Sequence, residues 1–372
     1  MKRYGNLYKK IYDLDNLRLA HKNAKKGKGW YKEVQMIDKN PDFYLKQIQT
    51  MLINHTYKTS EYRVFYKDDG NKTRKIYKLP YFPDRICQWA ILQVIEPILI
   101  RNLTVNTYSA IPGRGIHKAL HDITRDIKHD SKGCQYCLKI DVRHYYQSIN
   151  HSILKKKYAR IFKDPELLWL LGEIIDSINT ADNDDLLSIY NTFDNIDYDT
   201  GIPIGNYISQ YSGNFYLSDF DHWIKEVKGV KYYYRYMDDI VILHESKEYL
   251  HKLLDEIKQY FMDNLKVVVK SNYQAFPTYK RGIDYVGYRI FQKFILLRKS
   301  TCKTMKRKLI SILNKVTPGN MMNYSEWCSI NSYKGWLLYC NSYRLCKKYV
   351  TPLIQYSNLY YTQCIKKEGI AT

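Results

Sequence analysis

Residues 232–243 read YYYRYMDDIVIL. Aromatic side chains run up to Tyr236 and a β-branched, apolar run resumes at Ile240, so the segment is legible as strand, turn, strand. Between the two arms sit adjacent carboxylates, Asp238 and Asp239. A buried charge is costly unless it is paired or coordinates a metal. With arms at 231–236 and 240–244, both aspartates fall at the hairpin tip and diverge, because successive strand side chains point to opposite faces. There they stay solvated, as in an ordinary turn, or one of them faces a metal. A second carboxylate from elsewhere decides between these readings, and Asp141 is the best candidate. It ends the strand-like CLKID, which places its side chain at a sheet edge. Carboxylates brought from distant strands to one sheet end hold two Mg²⁺ ions about 4 Å apart, a clamp on the attacking and leaving oxygens of a phosphoryl transfer.

The chain has 372 residues, 45% of them hydrophobic, enough for one large domain or two modest ones. Lys plus Arg is 59 against 37 Asp plus Glu, a net charge of +22. That excess points to nucleic acid as partner, with anionic membrane second. No apolar run reaches the roughly 18 residues of a spanning helix, and the first 30 residues lack a continuous apolar h-region. The expectation is a soluble, cytoplasmic protein with no membrane partner. Of 8 cysteines, Cys134 and Cys137 form a CxxC with no obvious second pair, so buried or reduced thiols are expected ahead of zinc.

Along the chain, residues 1–58 read as helical and basic. EYRVFYKDDGNKTRKIYKL reads as a β-hairpin with DDGN at its tip. RICQWAILQVIEPILI is a helix with Ile86, Trp89, Leu92 or Val94, and Ile95 as its stripe. A glycine turn, IPGRG, leads to a helix near His117. Asn150 or Ser152 caps another over SINHSILKKKYARIF. Residues 176–200, rich in Asp and Asn, read as a surface insertion. GIPIGNYISQYSGNFY opens as a loop and becomes a helix; HKLLDEIKQYFMDN is amphipathic; DYVGYRIF and KFILLRK form a strand pair. From about 299 the chain reads as helical and basic. Lys299, Lys303, Lys306 and Arg307 make one stripe, with Ile310 and Leu313 on the opposite face.

YMDD after a strand, with DVxxYYxSI upstream (Asp141, Val142, Tyr145, Tyr146, Ser148, Ile149), resembles the palm of reverse transcriptases. The resemblance implies an α+β right-hand polymerase: fingers and palm over 1–298, with antiparallel sheet and helices, then a small helical, basic thumb over 299–372. It implies catalytic and metal-binding roles for Asp141, Asp238 and Asp239, with the Val142 carbonyl as a further metal ligand. The cofactor is then Mg²⁺, two ions, with Mn²⁺ as substitute. Tyr146 would stand against the sugar 2′ position and exclude ribonucleotides. Lys67 and Arg74, on opposite arms of the hairpin, would grip the triphosphate of a dNTP, and Lys270 would lie near it.

Where group II intron and retron enzymes carry QGxxxSP, this chain has IGNYISQ: Ile204, Gly205, Ser209, Gln210. IGxxxSQ resembles the enzymes of diversity-generating retroelements, which misincorporate opposite adenine. Ile204, Gly205 and Gln210 would then contact the incoming nucleotide and template base. Replacing a polar Gln by Ile removes a hydrogen-bonding group beside the nascent pair, and apolar shape discriminates less sharply. The partners implied are an RNA template, an RNA/DNA duplex, dNTPs and a small basic accessory protein, in a bacterial, archaeal or phage-infected cell. Other readings stay open: a phage-defence or retron-type reverse transcriptase, a nucleic-acid-binding protein without catalysis, a packing role for IGNYISQ, and a solvated face for the basic stripe.

Overall fold

The computed structural model describes residues 3–69, 72–179, 199–317 and 320–365. The hairpin-tip residues Gly70 and Asn71 and most of the Asp- and Asn-rich stretch, 180–198, lie outside them. No helix among the described residues is long and apolar enough to cross a membrane.

The chain divides into two compact units. The first comprises Met1–Pro112, Ile140–Ile240 and His251–Tyr273; the second comprises Gly113–Lys139, Val241–Leu250 and Gln274–Thr372. In the first, the helix Ile86–Arg101 is central. It buries Ile86, Ala90, Ile91, Leu92, Ile95, Ile98 and Leu99. Its apolar surface is therefore wider than the expected single stripe, and Trp89 is only half-buried, stacked on Tyr207 at 4.4 Å. Helices Leu14–Ala24 and Pro41–Ile53 bury Leu17, Ala20, Leu45, Ile48 and Leu52 in the same unit.

The predicted hairpin forms from β1 (Arg63–Asp69) and β2 (Lys72–Lys78), antiparallel with Lys67 opposite Arg74. β3 (Thr107–Tyr108) pairs parallel with β5 (Tyr232–Tyr236). With β4 (Tyr136–Asp141), β6 (Asp239–His244) and β7 (Gln274–Pro277) they make a five-stranded sheet, order β3-β5-β6-β4-β7. Asp239 is thus the first residue of β6 rather than part of a two-aspartate tip. Asn150 caps the helix His151–Ile161, its side chain accepting from the Ile153 N–H at 2.9 Å.

In the second unit, DYVGYRIF is a hairpin by itself. β8 (Ile283–Tyr285) and β9 (Tyr288–Ile290) flank Val286 and Gly287, both at positive φ, and β10 (Ile295–Leu297) adds to β9. Positive φ at both central residues is what a two-residue hairpin turn demands. Gly287 is also sterically required: a Cβ there would lie 2.3 Å from the Trp336 ring. The helix Lys299–Lys315 buries Met305, Leu309 and Ile312. Ile310, expected on the buried face, is 43% exposed, because the 305–309–312 spacing sets the inward stripe.

Candidate active site

Every residue of the candidate site belongs to the first unit. Asp141 ends β4, whose Cys137, Leu138 and Ile140 are buried and fix the strand's register. The segment that follows pairs with 268–270: the Arg143 N–H donates to the Val268 carbonyl and the Lys270 N–H to the Asp141 carbonyl, each at 2.8 Å. Val142 and Val269 form the bridge between those bonds. In such a non-hydrogen-bonded pair the residue's own N–H and C=O point away from its partner strand. The Val142 carbonyl therefore faces away from 268–270. The same pairing brings the Lys270 ammonium onto Asp141 Oδ2. The other oxygen, Oδ1, is buried without a hydrogen-bond partner among the described residues.

Asp238 sits in the turn between β5 and β6 and meets Asp141. Burial, then the hydrogen bond and charge of Asp141, push its carboxyl up to about 8 from an ordinary 3.8; Lys270 opposes the rise. Two carboxyls this close cannot both ionise without a cation between or beside them. Asp239 is half-buried at the start of β6. Among the described residues no three His, Cys, Asp or Glu side chains group as a metal cluster; Asp141 and Asp238 meet, and Asp239 opens β6 with its Oδ1 buried.

The turn itself is anchored from behind. Met237 has φ 55°, a left-handed conformation that costs a non-glycine residue about 1–2 kcal/mol. Its carbonyl accepts from Arg235 at 2.9 Å. Arg235 is fully buried in β5 and forks onto both oxygens of the equally buried Asp221, at 2.6 and 2.5 Å. It also donates to the side chain and carbonyl of Asn214, at 3.2 and 3.1 Å. Thr107 and Tyr233 hydroxyls donate to Asp221 as well. Sequence reasoning missed this network. Its signal was present: an arginine inside an aromatic strand must find buried partners, and Asp221 and Asn214 lie in equally apolar surroundings.

Tyr146 lies in the short 3₁₀ turn Tyr145–Ser148, and its hydroxyl donates to Met237 Sδ at 3.7 Å. Burial and then Asp238 raise its hydroxyl pKa well above the ordinary value, and Arg74 opposes that rise. The charge of Arg74, on β2, thus reaches the tyrosine. Gly213, in the helix Tyr207–Tyr216, lies against both Tyr145 and Tyr146; a Cβ there would be 3.5 Å from each ring. Lys67 and Arg74 are exposed neighbours across the hairpin.

Residues 199–202 run along 146–150, with the Ile202 N–H donating to the Tyr146 carbonyl at 2.9 Å. That pairing delivers Ile204 and Gly205 to β2. The Ile204 carbonyl accepts from the Tyr77 N–H at 3.0 Å. Gly205 has φ 118°, and a Cβ there would stand 3.0 Å from the Tyr77 carbonyl. Only glycine fits both constraints. Gln210 is exposed on the helix that follows.

The site thus gathers a carboxyl pair at a sheet end, the Tyr146 ring beside it and Arg74 of the hairpin acting on that ring. Residues 66–290, more than half of the chain, match the family described as reverse transcriptase (RNA-dependent DNA polymerase). The chain belongs to that family, and its fold is the reverse transcriptase fold. It is 22% identical over 265 residues to Protein YkfC of Escherichia coli (strain K12), covering 62% of this chain and 66% of that protein. It is 25% identical over 146 residues to an uncharacterized 91 kDa protein in cob intron of Schizosaccharomyces pombe, covering 39% of this chain and 16% of that protein. The chain thus spans a little under two thirds of the first curated relative and far less of the second. Among solved structures, apo telomerase from Candida tropicalis matches with a TM-score of 0.46 at 13% identity, covering 83% of this chain and 59% of that one. Telomerase from Candida albicans, in complex with a fragment of telomeric RNA, matches with 0.44 at 12%, covering 81% and 56%.

Proposed function

We propose that this chain is an RNA-directed DNA polymerase, and specifically the error-prone enzyme of a diversity-generating retroelement. The observation that carries the polymerase reading is the meeting of Asp141 and Asp238, with a buried Asp141 oxygen that has no hydrogen-bond partner among the described residues and an Asp238 carboxyl pushed up by burial and by Asp141. Reverse transcriptases work with divalent metal ions, and these residues fit such ions: hard oxygen donors, crowded like charges and a carbonyl at Val142 turned from its neighbouring strand. Asp141, Asp238 and Val142 would hold two Mg²⁺ ions, with Asp239 in support. Bound there, the metal supplies Lewis-acid activation of the attacking hydroxyl and neutralises charge on the phosphates.

The protein's own groups do the rest. Lys67 and Arg74 hold the triphosphate of the dNTP, one as a point charge and one as a fork. Tyr146, propped on Gly213, blocks the 2′ position. Lys270 holds the Asp141 carboxylate in orientation until metal and substrate arrive. Ile204 and Gly205, tied to β2 through Tyr77, form the floor beside the nascent base pair, and Gln210 follows on the helix. An apolar residue at 204 supports the low-fidelity reading, because no side-chain hydrogen bond is available there to reject a wrong pair.

Primer extension on an adenine-containing RNA template, with Mg²⁺ and all four dNTPs, tests both levels. Extension is expected from the wild type and absent from Asp238→Ala; equal extension by both sinks the polymerase reading. Sequencing of the products should find errors concentrated opposite adenine and reduced in Ile204→Gln. An even error spectrum would instead favour a phage-defence or retron-type enzyme.

A further inference from the structure

Where the end of the helix Ile86–Arg101, the helix His151–Ile161 and the segment 215–227 meet, the first unit contains a cavity of about 480 Å³. Lys157 and Phe215 lie buried on its inner wall, while Arg101 and Arg160 stand exposed at its mouth. Lys157 is only 3% exposed. Its ammonium is 2.8 Å from Asp219 Oδ2, an ion contact without hydrogen-bond alignment, and no group among the described residues accepts a hydrogen bond from it. Arg160 contacts the same carboxylate oxygen. Arg101 has no ion-pair partner among the described residues. Burial pulls the Lys157 ammonium down to about 8 from an ordinary 10.5, and Asp219 opposes the fall only in part.

The other charged groups on the wall balance each other. His222 Nε2 donates to the Asn102 carbonyl at 3.2 Å, and Nδ1 faces Glu226 Oε1 at 2.6 Å. Burial lowers the His222 pKa, but Glu226 and the Asn102 carbonyl outweigh it and hold the ring towards its cationic form. Arg101, Lys157 and Arg160 then face the single carboxylate of Asp219, which leaves two positive charges unmatched. A buried ammonium short of acceptors is costly. A ligand that satisfies it and matches the surplus must bring two negative charges and several acceptor oxygens. A phosphomonoester carries about −1.5 to −2 near neutral pH and three strong acceptors. A carboxylate or a backbone phosphodiester brings one charge. Guanidinium forks also match phosphate oxygens in geometry.

We propose that this cavity binds a small phosphomonoester, its phosphate held by Lys157, Arg101 and Arg160. Lys67, Arg74, Asp141 and Asp238 are not part of the wall, so the site stands whether or not the chain extends a primer. An occupant would join the end of the helix Ile86–Arg101 to the helix His151–Ile161, beside Asp219 on the short helix Ser218–His222. That short helix also carries Asp221, the buried partner of Arg235. A ligand that needs these helices assembled binds the folded chain alone, and so raises its stability with concentration.

The test is the melting temperature of the full chain titrated with glycerol 3-phosphate and with inorganic phosphate, against sodium chloride at equal ionic strength. Calorimetric titration of the same two probes gives the affinity directly. The expected result is a rise with either phosphate that chloride does not reproduce. Arg101→Gln is the main variant, since Arg101 is exposed and its loss breaks no ion pair among the described residues. It should weaken phosphate binding several-fold, and Arg101→Gln with Arg160→Gln should abolish the rise. Lys67→Gln with Arg74→Gln should leave the rise intact. A rise no greater than that with chloride overturns the proposal, and so does a rise undiminished in the double arginine variant. Loss of the rise in the hairpin variant overturns it too, because the phosphate then sits at the hairpin. Labelled single-stranded RNA, read by fluorescence anisotropy, separates the remaining source. If Arg101→Gln weakens RNA binding while neither small phosphate binds, the cavity takes a backbone phosphate and the small-molecule assignment is wrong.

Discussion

At the scale of single residues, Asp238 decides how the site behaves before metal binds. In the folded chain its carboxyl titrates at about 8, against an ordinary 3.8. Between those values the folded protein holds a proton that the unfolded chain has released. Stability therefore falls as pH rises through that window when no metal is present. The stabilising proton is fully held below the ordinary value and is lost above about 8. Divalent cations need the ionised carboxylate, so they should oppose the fall. The expected outcome is a melting temperature in chelator that declines from weakly acid to weakly alkaline pH, with a shallower decline in Mg²⁺. Asp238→Asn, which cannot release a proton there, should lose that component. A variant that keeps the full wild-type decline in chelator would show that the Asp141–Asp238 pair is not its source. Asp141 and Asp238 were legible in the sequence because two carboxylates in apolar strands demand a reason. That Asp239 opens β6 while Asp238 stays in the turn was not legible, because it depends on the left-handed backbone at Met237, and methionine gives no sign of that conformation.

At the scale of elements, the β5–β6 hairpin owes its position to Arg235 more than to its own turn sequence. The guanidinium ties the Met237 carbonyl to Asp221 and Asn214, all of it out of water. Removing one partner of a buried ion pair strands the other charge, at a cost of about 3–5 kcal/mol. Arg235→Gln should therefore lower the denaturant midpoint markedly. Arg235→Lys is the informative variant. It keeps a charge for Asp221 and loses the fork that also reaches Met237 and Asn214. It should fold, with kcat reduced and KM for dNTP little changed, because the hairpin carries Asp238 and not the triphosphate cations. A fall in stability with kcat preserved would make Arg235 a structural residue alone. The strand pattern around Arg235 was readable from its run of aromatic and β-branched side chains. The network was not, since Asn214, Asp221 and Thr107 come from three other segments and nothing local to any of them names the others.

At the scale of the whole chain, the charge of +22 must face some partner, and the helix Lys299–Lys315 offers a concentrated share of it. Met305, Leu309 and Ile312 face inward, which leaves Lys299, Lys303 and Arg307 exposed. Lys306 is directed onto the Tyr349 ring at 5.6 Å and is partly withdrawn from the stripe. The helix and its basic residues were foreseeable from the sequence; the inward stripe was misassigned at Ile310, where an apolar residue simply faces solvent. Two accounts of the stripe are physically distinct. A solvated face adds only to the general field of the protein. A thumb tracking the template–primer duplex neutralises individual phosphates, and each one contributes roughly 0.9 to the dependence of log affinity on log salt. Replacing Lys299, Lys303 and Arg307 together with Gln should leave the melting temperature nearly unchanged, because all three are exposed. Under the thumb account, RNA/DNA duplex affinity falls, the salt slope drops by about one unit or more, and extension products shorten at moderate salt. Under the solvated-face account the slope stays as it was. The slope separates the two because it reports phosphates neutralised, whereas affinity alone also responds to net charge.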